Sequence, residues 1–359
     1  MRVVHIASGD KWAGAEVQLL TLASNQALTD DVYVVVLNAG ELEQRLKQKG
    51  IDVTVFDETQ FSFADLFHKI RRHLKQLRPH VVHTHRQKEN ILGSLASFFV
   101  QGAVCVRTVH GALEFKRNWK QTIQHKLDIF CGRRLQSAVI AVSSDLANKL
   151  SHDFKPSHIH VIENGIDPSE VQQTTSLKKL NLVTPGEFNI GFVGRVEPVK
   201  RIDLFLAVAE RLVGENKCDS IYRFHVFGDG SELPTAKKKT AELGIQESVE
   251  FYGHRSDIVA CMAKMNAVLM PSDHEGLPMT ALECCALGVP IVAHRTGGLV
   301  NLLTANFPIG LVAEHTVDAY AERLLDVLQQ QTKPLFSMQY SAKNNALSML
   351  KLYKQLLSK

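Results

Sequence analysis

Long apolar runs are missing from this chain of 359 residues. The best, Ile91 to Val100, falls well short of the ~18 residues that a membrane-crossing helix needs. The opening residues, MRVVHIASGD, hold too short an apolar stretch for a secretory leader. Cysteine is sparse, and no two of the six stand in a C-x-x-C spacing, which predicts buried free thiols in a reducing compartment. The expectation is a cytoplasmic protein, with a peripheral position on the inner face of a membrane left open. Charge of one sign is also scarce: a net charge of +4 is too weak to point to nucleic acid, and none is expected as a partner. With 45% hydrophobic and 22% charged residues, disorder and disulfide-rich miniproteins are excluded.

Several catalytic signatures are absent too. There is no G-x-G-x-x-G, which removes a dinucleotide-dependent dehydrogenase, and no G-K-[ST], which removes a Walker loop. The nucleophile elbow G-x-S-x-G is missing, so a Ser/His/Asp hydrolase has no support. No D-x-D occurs, and no metal is expected to anchor a diphosphate. The pair His83-Thr-His85 resembles part of a metal site but shows no third ligand in sequence.

What is present is alternation. Short β-branched runs recur at Val3–Ala7, Val32–Leu37, Asp52–Phe56, His80–His83, Val104–Val109, Ala138–Val142 and His158–Ile162, and again at Asn189–Gly194, Tyr222–Phe227, Val249–Tyr252, Ala267–Met270, Pro290–Ala293 and Gly310–Val312. Amphipathic stretches such as Glu16–Leu28, Phe63–Leu77, Leu204–Val213, Ala319–Gln330 and Gln339–Leu357 lie between or after them. This reads as βαβ units building parallel sheets. The alternation pauses between about Pro168 and Gly186, a polar stretch that reads as a linker over 171–187. The expected fold class is α/β: two Rossmann-like doubly wound domains, 1–170 and 188–338, facing a cleft, with 339–359 a terminal helix. In such sheets ligands bind beyond the carboxyl ends of the strands.

Six strand ends offer candidate chemistry. After Met270 comes Pro271-Ser-Asp-His-Glu275-Gly276-Leu277-Pro278, then Glu283. Proline suits a helix entry, and the free amides there favour a phosphate. Glu275 in the loop can accept sugar hydroxyls, and Glu283, about two turns on, can accept those of a ribose; the alternative is a surface glutamate capping a helix. After Val193 comes Gly194-Arg195, then Lys200 and Arg201. Arginine grips phosphate oxygens through a planar fork and lysine adds a compact charge, so Arg195 and Lys200 suit a departing diphosphate. Arg201 is the weaker candidate. The first strand opens into Ser8-Gly9-Asp10-Lys11-Trp12-Ala13-Gly14-Ala15-Glu16, a small-residue turn able to cradle phosphate or sugar. Thr108-Val-His110-Gly111 ends another strand, and Phe227-Gly228-Asp229-Gly230 and Phe251-Tyr252-Gly253-His254 end two more, where glycine turns could admit a nucleobase or simply be tight turns.

These motifs, in this order, resemble the retaining glycosyltransferases of family 4, which have the GT-B architecture of two Rossmann-like domains. The resemblance rests on Glu275 and Glu283 in an E-x7-E spacing, on Gly194-Arg195 with Lys200, on Phe227-Gly-Asp-Gly230, on Thr108-Val-His110-Gly111, on Asn164-Gly165-Ile166-Asp167 and on Ala13-Gly14-Ala15-Glu16. It implies catalytic roles for Arg195, Lys200, Glu275 and His110. It implies donor contacts from Gly14, Gly228, Asp229, His254, Gly276, Leu277 and Glu283. The implied donor is a nucleotide-diphosphate sugar, UDP first and GDP second, with no cofactor or metal. The implied acceptor is a glycan or lipid-linked intermediate of lipopolysaccharide or exopolysaccharide assembly. One position departs from the family: Ala13 stands where a first loop glycine is usual. Rival readings are a GT-B sugar-nucleotide epimerase and a non-catalytic nucleotide-sugar binding protein.

Positive charge is concentrated in the first half. Residues 1–180 hold 23 Lys+Arg against 18 Asp+Glu, and the remainder 18 against 19. One basic stretch, Phe63–Arg78, reads as a core-facing helix with a solvated back. The other, Phe115–Arg134, sets Phe115 and Trp119 among Lys116, Arg117, Lys120, Lys126, Arg133 and Arg134. Members of the resembled family with lipid-linked acceptors touch anionic membranes through this domain, and this stretch is the candidate surface.

Overall fold

A computed structural model describes residues 1–10, 12–111, 119–176, 186–214 and 221–358. The chain divides into two compact units, one formed by Met1–Ile166 with Gln339–Lys359, the other by Asp167–Met338.

The first unit runs β1 (Arg2–Ala7), α1 (Gly14–Gln26), β2 (Asp31–Val36), α2 (Glu41–Gln48), β3 (Asp52–Val55), α3 (Phe63–Leu77), β4 (Val81–Thr84), α4 (Gln87–Ser97), β5 (Val104–Val109), α5 (Trp119–Arg134), β6 (Ala138–Ala141), α6 (Ser144–Leu150) and β7 (Ile159–Val161). Its seven strands lie in the order β3-β2-β1-β4-β5-β6-β7, and every pairing is parallel. The central strands are nearly unbroken apolar runs because a parallel sheet is covered on both faces; Val3, Val4, Ile6, Val81 and Val82 are fully buried. His5 and His83 interrupt those runs, and the β1–β4 register sets them side by side.

Helix ends follow local chemistry. Ser62 accepts from the Asp65 amide while the Asp65 carboxylate accepts from the Ser62 amide, a capping box that fixes the start of α3. Leu66, Ile70 and Leu74 form its buried face, Arg72 and Lys75 are exposed on the solvated side, and Lys69 and Arg71 are half-buried.

The second unit runs α7 (Pro168–Ser176), β8 (Glu187–Val193), α8 (Ile202–Gly214), β9 (Ile221–Phe227), α9 (Leu233–Glu242), β10 (Val249–Gly253), α10 (Ile258–Met262), β11 (Ala267–Met270), α11 (Met279–Leu287), β12 (Ile291–His294), α12 (Gly298–Asn306), β13 (Leu311–Val312) and α13 (Val317–Gln330). Its six parallel strands are ordered β10-β9-β8-β11-β12-β13. The linker expected over 171–187 begins instead as helix: Asp167 Oδ1 accepts from the amides of Ser169 and Glu170, and Pro168 opens the first turn, which together nucleate α7. Residues 177–185 lie outside the described residues.

The chain then returns to the first unit as α14 (Ala342–Leu357). Ala346, Met349, Leu350, Leu352, Tyr353 and Leu356 join Val3, Leu22, Val81, Val106 and Ile140 in one core cluster. Gln18 Nε2 donates to Asn345 Oδ1 at 3.0 Å, and Asn345 Nδ2 to the Glu163 carbonyl at 2.6 Å.

Each sheet reverses its strand order once, between β1 and β4 and between β8 and β11. The loops on either side of such a reversal part at the carboxyl ends of the strands and leave a crevice.

Candidate active site

In the second unit the reversal falls between the two loops singled out in sequence. The loop after β8 and the loop after β11 are tied together by charge and backbone. Lys200 Nζ donates to Glu275 Oε1 at 2.6 Å, with side chains 17% and 6% exposed. Arg201 donates to Asp203 and, at 3.1 Å, to Asp273 Oδ1. The Asp273 amide donates to the Val199 carbonyl at 2.9 Å. A 3-10 turn over Pro198–Lys200, ended by Arg201 in the left-handed region (φ 53), aims Lys200 and Arg201 at the second loop. Arg195 is exposed at the start of this loop.

The loop after β12 closes against the same place. Thr296 Oγ1 donates to the Asp273 carbonyl, and the Gly298 amide to the Gly276 carbonyl at 2.6 Å. Gly297 has φ 53, and a Cβ there would overlap the Glu275 carbonyl oxygen. Only glycine meets both demands. Strand-end glycines pack in the same way nearby: Gly228 has φ 134, and its missing Cβ leaves room for the Gly194 carbonyl. Asp229 sits beside it, and its Oδ2 accepts the His254 amide at 2.9 Å.

Below these loops α11 starts at Met279, one residue later than a proline inside the first turn would place it; Pro278 is the N-cap, with extended backbone (φ −71, ψ 134). Leu277 is buried and Gly276 half-buried at its entry. Glu283 lies within α11 and is 8% exposed. Burial disfavours its charged form and pushes its carboxyl up to about 7.

In the first unit the reversal lies between the loops after β1 and β4. Arg86, the N-cap of α4, donates to Asp10 Oδ1 at 3.1 Å and to Glu16 Oε1. Burial raises the Glu16 carboxyl, and Arg86 opposes that shift. Gly14 is exposed as the first residue of α1. Ala13, the residue that departs from the family pattern, is extended (φ −145, ψ −176), a conformation open to any side chain, so its methyl imposes no backbone strain.

Behind that loop lies a group of histidines. His5, His83 and His85 offer ring nitrogens all within 4.8 Å of one another. The third partner missing from His83-Thr-His85 is therefore His5, brought in by strand pairing. Both nitrogens of each ring are already engaged. His5 meets His85 at 3.0 Å and Gln26 at 2.8 Å; His83 meets Tyr353 at 2.6 Å and Thr108 at 2.7 Å; His85 meets His110 at 3.3 Å. The His83 and His85 rings stack with centroids 4.3 Å apart rather than converging on a point. A cation would take one nitrogen from each ring and break the hydrogen bond made there, so the donor set is that of a hydrogen-bonded chain. Burial holds His5 and His110 down at about 4 and His83 and His85 well below the ordinary imidazole range.

Residues 12–170 match the family described as Glycosyltransferase Family 4, and residues 174–346 match Glycosyl transferases group 1. The chain belongs to the family-4 type of glycosyltransferase. An Escherichia coli UDP-Gal:alpha-D-GlcNAc-diphosphoundecaprenol alpha-1,3-galactosyltransferase is 25% identical to this glycosyltransferase over 272 residues, 74% of this chain and 70% of that protein. A D-inositol 3-phosphate glycosyltransferase of Mycobacterium marinum is 31% identical over 186 residues, 50% of this chain but only 39% of that protein. Among solved structures, HepE of Anabaena in complex with UDP and glucose matches with a TM-score of 0.79 at 20% identity, covering 100% of this chain and 98% of that one. The lipopolysaccharide outer core galactosyltransferase WaaB matches with a TM-score of 0.65 at 17% identity, covering 98% and 100%. With two parallel α/β sheets, these neighbours establish the fold of this glycosyltransferase as GT-B.

The structure thus brings Lys200, Glu275, Gly276 and Leu277 of this glycosyltransferase to one sheet reversal, and Asp229 beside the His254 backbone. Gly14 and His110 lie in the first unit. Sequence reasoning missed Thr296-Gly297-Gly298, although a glycine pair directly after a strand is a visible signal. Nor did it foresee the pairing of Asp273 with Arg201, 72 positions away.

Proposed function

We propose that this glycosyltransferase moves a sugar from a UDP-sugar to a hydroxyl of a lipid-linked glycan intermediate, with retention at the anomeric carbon. The observation that carries the reading is the Lys200–Glu275 pair at the reversal of the second sheet, where cation, carboxylate and helix entry converge. The UDP complexes of Anabaena HepE support the donor, and the diphosphoundecaprenol-linked acceptor of the Escherichia coli relative supports the acceptor class.

Arg195 and Lys200 neutralise the diphosphate as its bond to the anomeric carbon breaks. Glu275 orients the sugar, and the amides at Gly276 and Leu277 add contacts beside the α11 entry. Glu283 accepts the ribose hydroxyls, and Gly228, Asp229 and His254 line the base. The acceptor oxygen forms its new bond on the face from which the diphosphate leaves, and the departing diphosphate takes the acceptor's proton. Binding an oxocarbenium-like state between these partners is the enzyme's task.

The membrane surface is α5. A buried ion pair, Arg107 to Asp128 Oδ1 at 2.8 Å, pins its inner face. Its outer face is apolar: Trp119, Ile123, Leu127 and Phe130 are exposed. At ~100° per residue these four fall within about 80° of one another. Lys120, Lys126, Arg133 and Arg134 are exposed around them. Apolar side chains ringed by cations on an outward face suit an anionic lipid surface. Residues 115–118 of the basic stretch lie outside the described residues. Among those described, no helix is long and apolar enough to cross a membrane.

Thermal melting with UDP, UDP-glucose, UDP-galactose and GDP-mannose tests the donor; the correct nucleotide raises the melting temperature by mass action. Turnover on an undecaprenyl-diphosphate glycan then tests transfer. Stabilisation by GDP-mannose alone would overturn the donor, and a new sugar nucleotide formed without acceptor would make the protein an epimerase. Sedimentation with anionic vesicles at low salt, lost at high salt, tests α5; no binding at low salt removes the membrane reading.

A further inference from the structure

Two buried hydrogen-bond chains in the first unit leave from the two ends of one carboxamide. Gln26 Oε1 faces His5 Nε2 at 2.8 Å, and Gln26 Nε2 faces the Tyr353 hydroxyl at 3.5 Å. The nitrogen arm runs Tyr353 to His83 at 2.6 Å and His83 to Thr108 at 2.7 Å. The oxygen arm runs His5 Nδ1 to His85 Nε2 at 3.0 Å and His85 Nδ1 to His110 Nε2 at 3.3 Å. Both arms finish at the carboxyl end of β5, at Thr108 and His110.

With the Gln26 oxygen facing His5, the oxygen arm has one consistent proton order. A carboxamide oxygen accepts only, so His5 carries its proton on Nε2. Its Nδ1 is then a lone pair and takes the Nε2 proton of His85. The Nδ1 of His85 is in turn a lone pair and takes the Nε2 proton of His110. That leaves His110 Nδ1 as a bare acceptor. It is buried and has no partner among the described residues. A buried acceptor left without a donor is costly and marks a place where a ligand completes the pattern.

Resting on the proposed transferase reading, we propose that His5 and His85 are positioning residues that lock His110 in its Nε2-protonated tautomer, so that His110 Nδ1 accepts a hydrogen bond from a substrate hydroxyl. The ligand chemistry follows from the proton order. An acceptor nitrogen takes a hydroxyl and offers nothing to a phosphate oxygen. Neutrality belongs to the design: burial keeps all three imidazoles uncharged, and Arg86, within electrostatic reach of His85 and His110, further disfavours an imidazolium there. The charged groups facing the chain are Arg86 with its partners Asp10 and Glu16. A second ring on β4, His83, stacks on His85 and holds its plane.

The test has two parts. In protein labelled with 15N-histidine, the His110 ring nitrogens report which one carries the proton. The expected wild-type spectrum shows Nδ1 bare and Nε2 protonated, and this measurement needs no variant to fold. His85→Leu removes the acceptor for His110 and should yield mixed tautomers. It should also lower kcat/KM about tenfold while UDP still raises the melting temperature. His85→Gln, whose side-chain oxygen can accept the same proton, should recover most of the loss. A wild-type His110 protonated on Nδ1 overturns the proposal, as does a His85→Gln variant no better than His85→Leu. A wild-type protein that transfers no sugar from any UDP donor would instead sink the transferase reading and leave the tautomer result standing.

Discussion

Behind the first sheet's crevice, whose loops are paired through Arg86, Asp10 and Glu16, imidazoles, a phenol and a hydroxyl are buried in neutral chains, whereas the second crevice has cations and carboxylates on glycine-rich loops. Both arise from the same reversal of strand order. Neutral hydrogen-bond chains fix direction, since each lone pair and proton has one place to point. Ion-paired loops hold charge that can be reassigned, since on the proposed reading Lys200 would release Glu275 when a diphosphate and a sugar arrive. On the proposed reading, the first unit supplies orientation and the second charge compensation.

The sharpest way to break that contrast is Lys200→Ala. If charge compensation belongs to the second crevice, kcat falls by about 10²–10³-fold, or about 2.7–4 kcal/mol, while the fold survives. Near-normal turnover would contradict it. Next comes Glu283, whose carboxyl titrates at about 7 because it is buried. Between about 4.5, its ordinary value, and 7, the folded protein keeps a proton that the unfolded chain has released. Folding stability therefore declines with rising pH across that window by about 3 kcal/mol and is flat above it. If Glu283 accepts both ribose hydroxyls as proposed, the ionised form does so more strongly than the neutral acid, so affinity for a nucleotide sugar, which has no phosphate monoester to titrate, rises as pH passes 7. Glu283→Gln should flatten both curves, and calorimetric titration at several pH values would show whether it does.

Gly297→Ala tests the backbone of the charged crevice. The left-handed strain alone costs about 1–3 kcal/mol, and the clash with the Glu275 carbonyl adds to it. Urea unfolding indistinguishable from wild type would remove the claim that this loop is sterically closed. Tyr353→Phe addresses the neutral chains instead: His83 Nδ1 loses its partner, at about 1–3 kcal/mol in the same assay. The smallest effect is expected at Glu41, whose pair with Arg45 spans one turn of α2 on the surface; Glu41→Ala should cost less than about 0.5 kcal/mol.

The thirteen strands were legible in sequence because parallel strands covered on both faces must be apolar almost throughout. The loops carrying Lys200 and Glu275 were legible as glycine-bearing strand ends. Their partnership was not, because it depends on β8 and β11 lying next to each other, and strand order is set by packing between distant segments. His5 illustrates the same limit: alone it is a polar residue in a buried strand, and only the β1–β4 register beside His83 gives it meaning. At α7 composition misled, since a polar stretch became helical through the local cap at Asp167.

The backbone bridge between Ile166 and Ser341 has a temporal consequence. Along the chain, Asp167–Met338 comes before α14, so the sheet of the first unit must wait through the whole second unit for α14 to cover Val3, Val81 and Val106. The unit translated later can close its core without waiting for any further element, whereas the earlier sheet stays uncovered until α14 has been made.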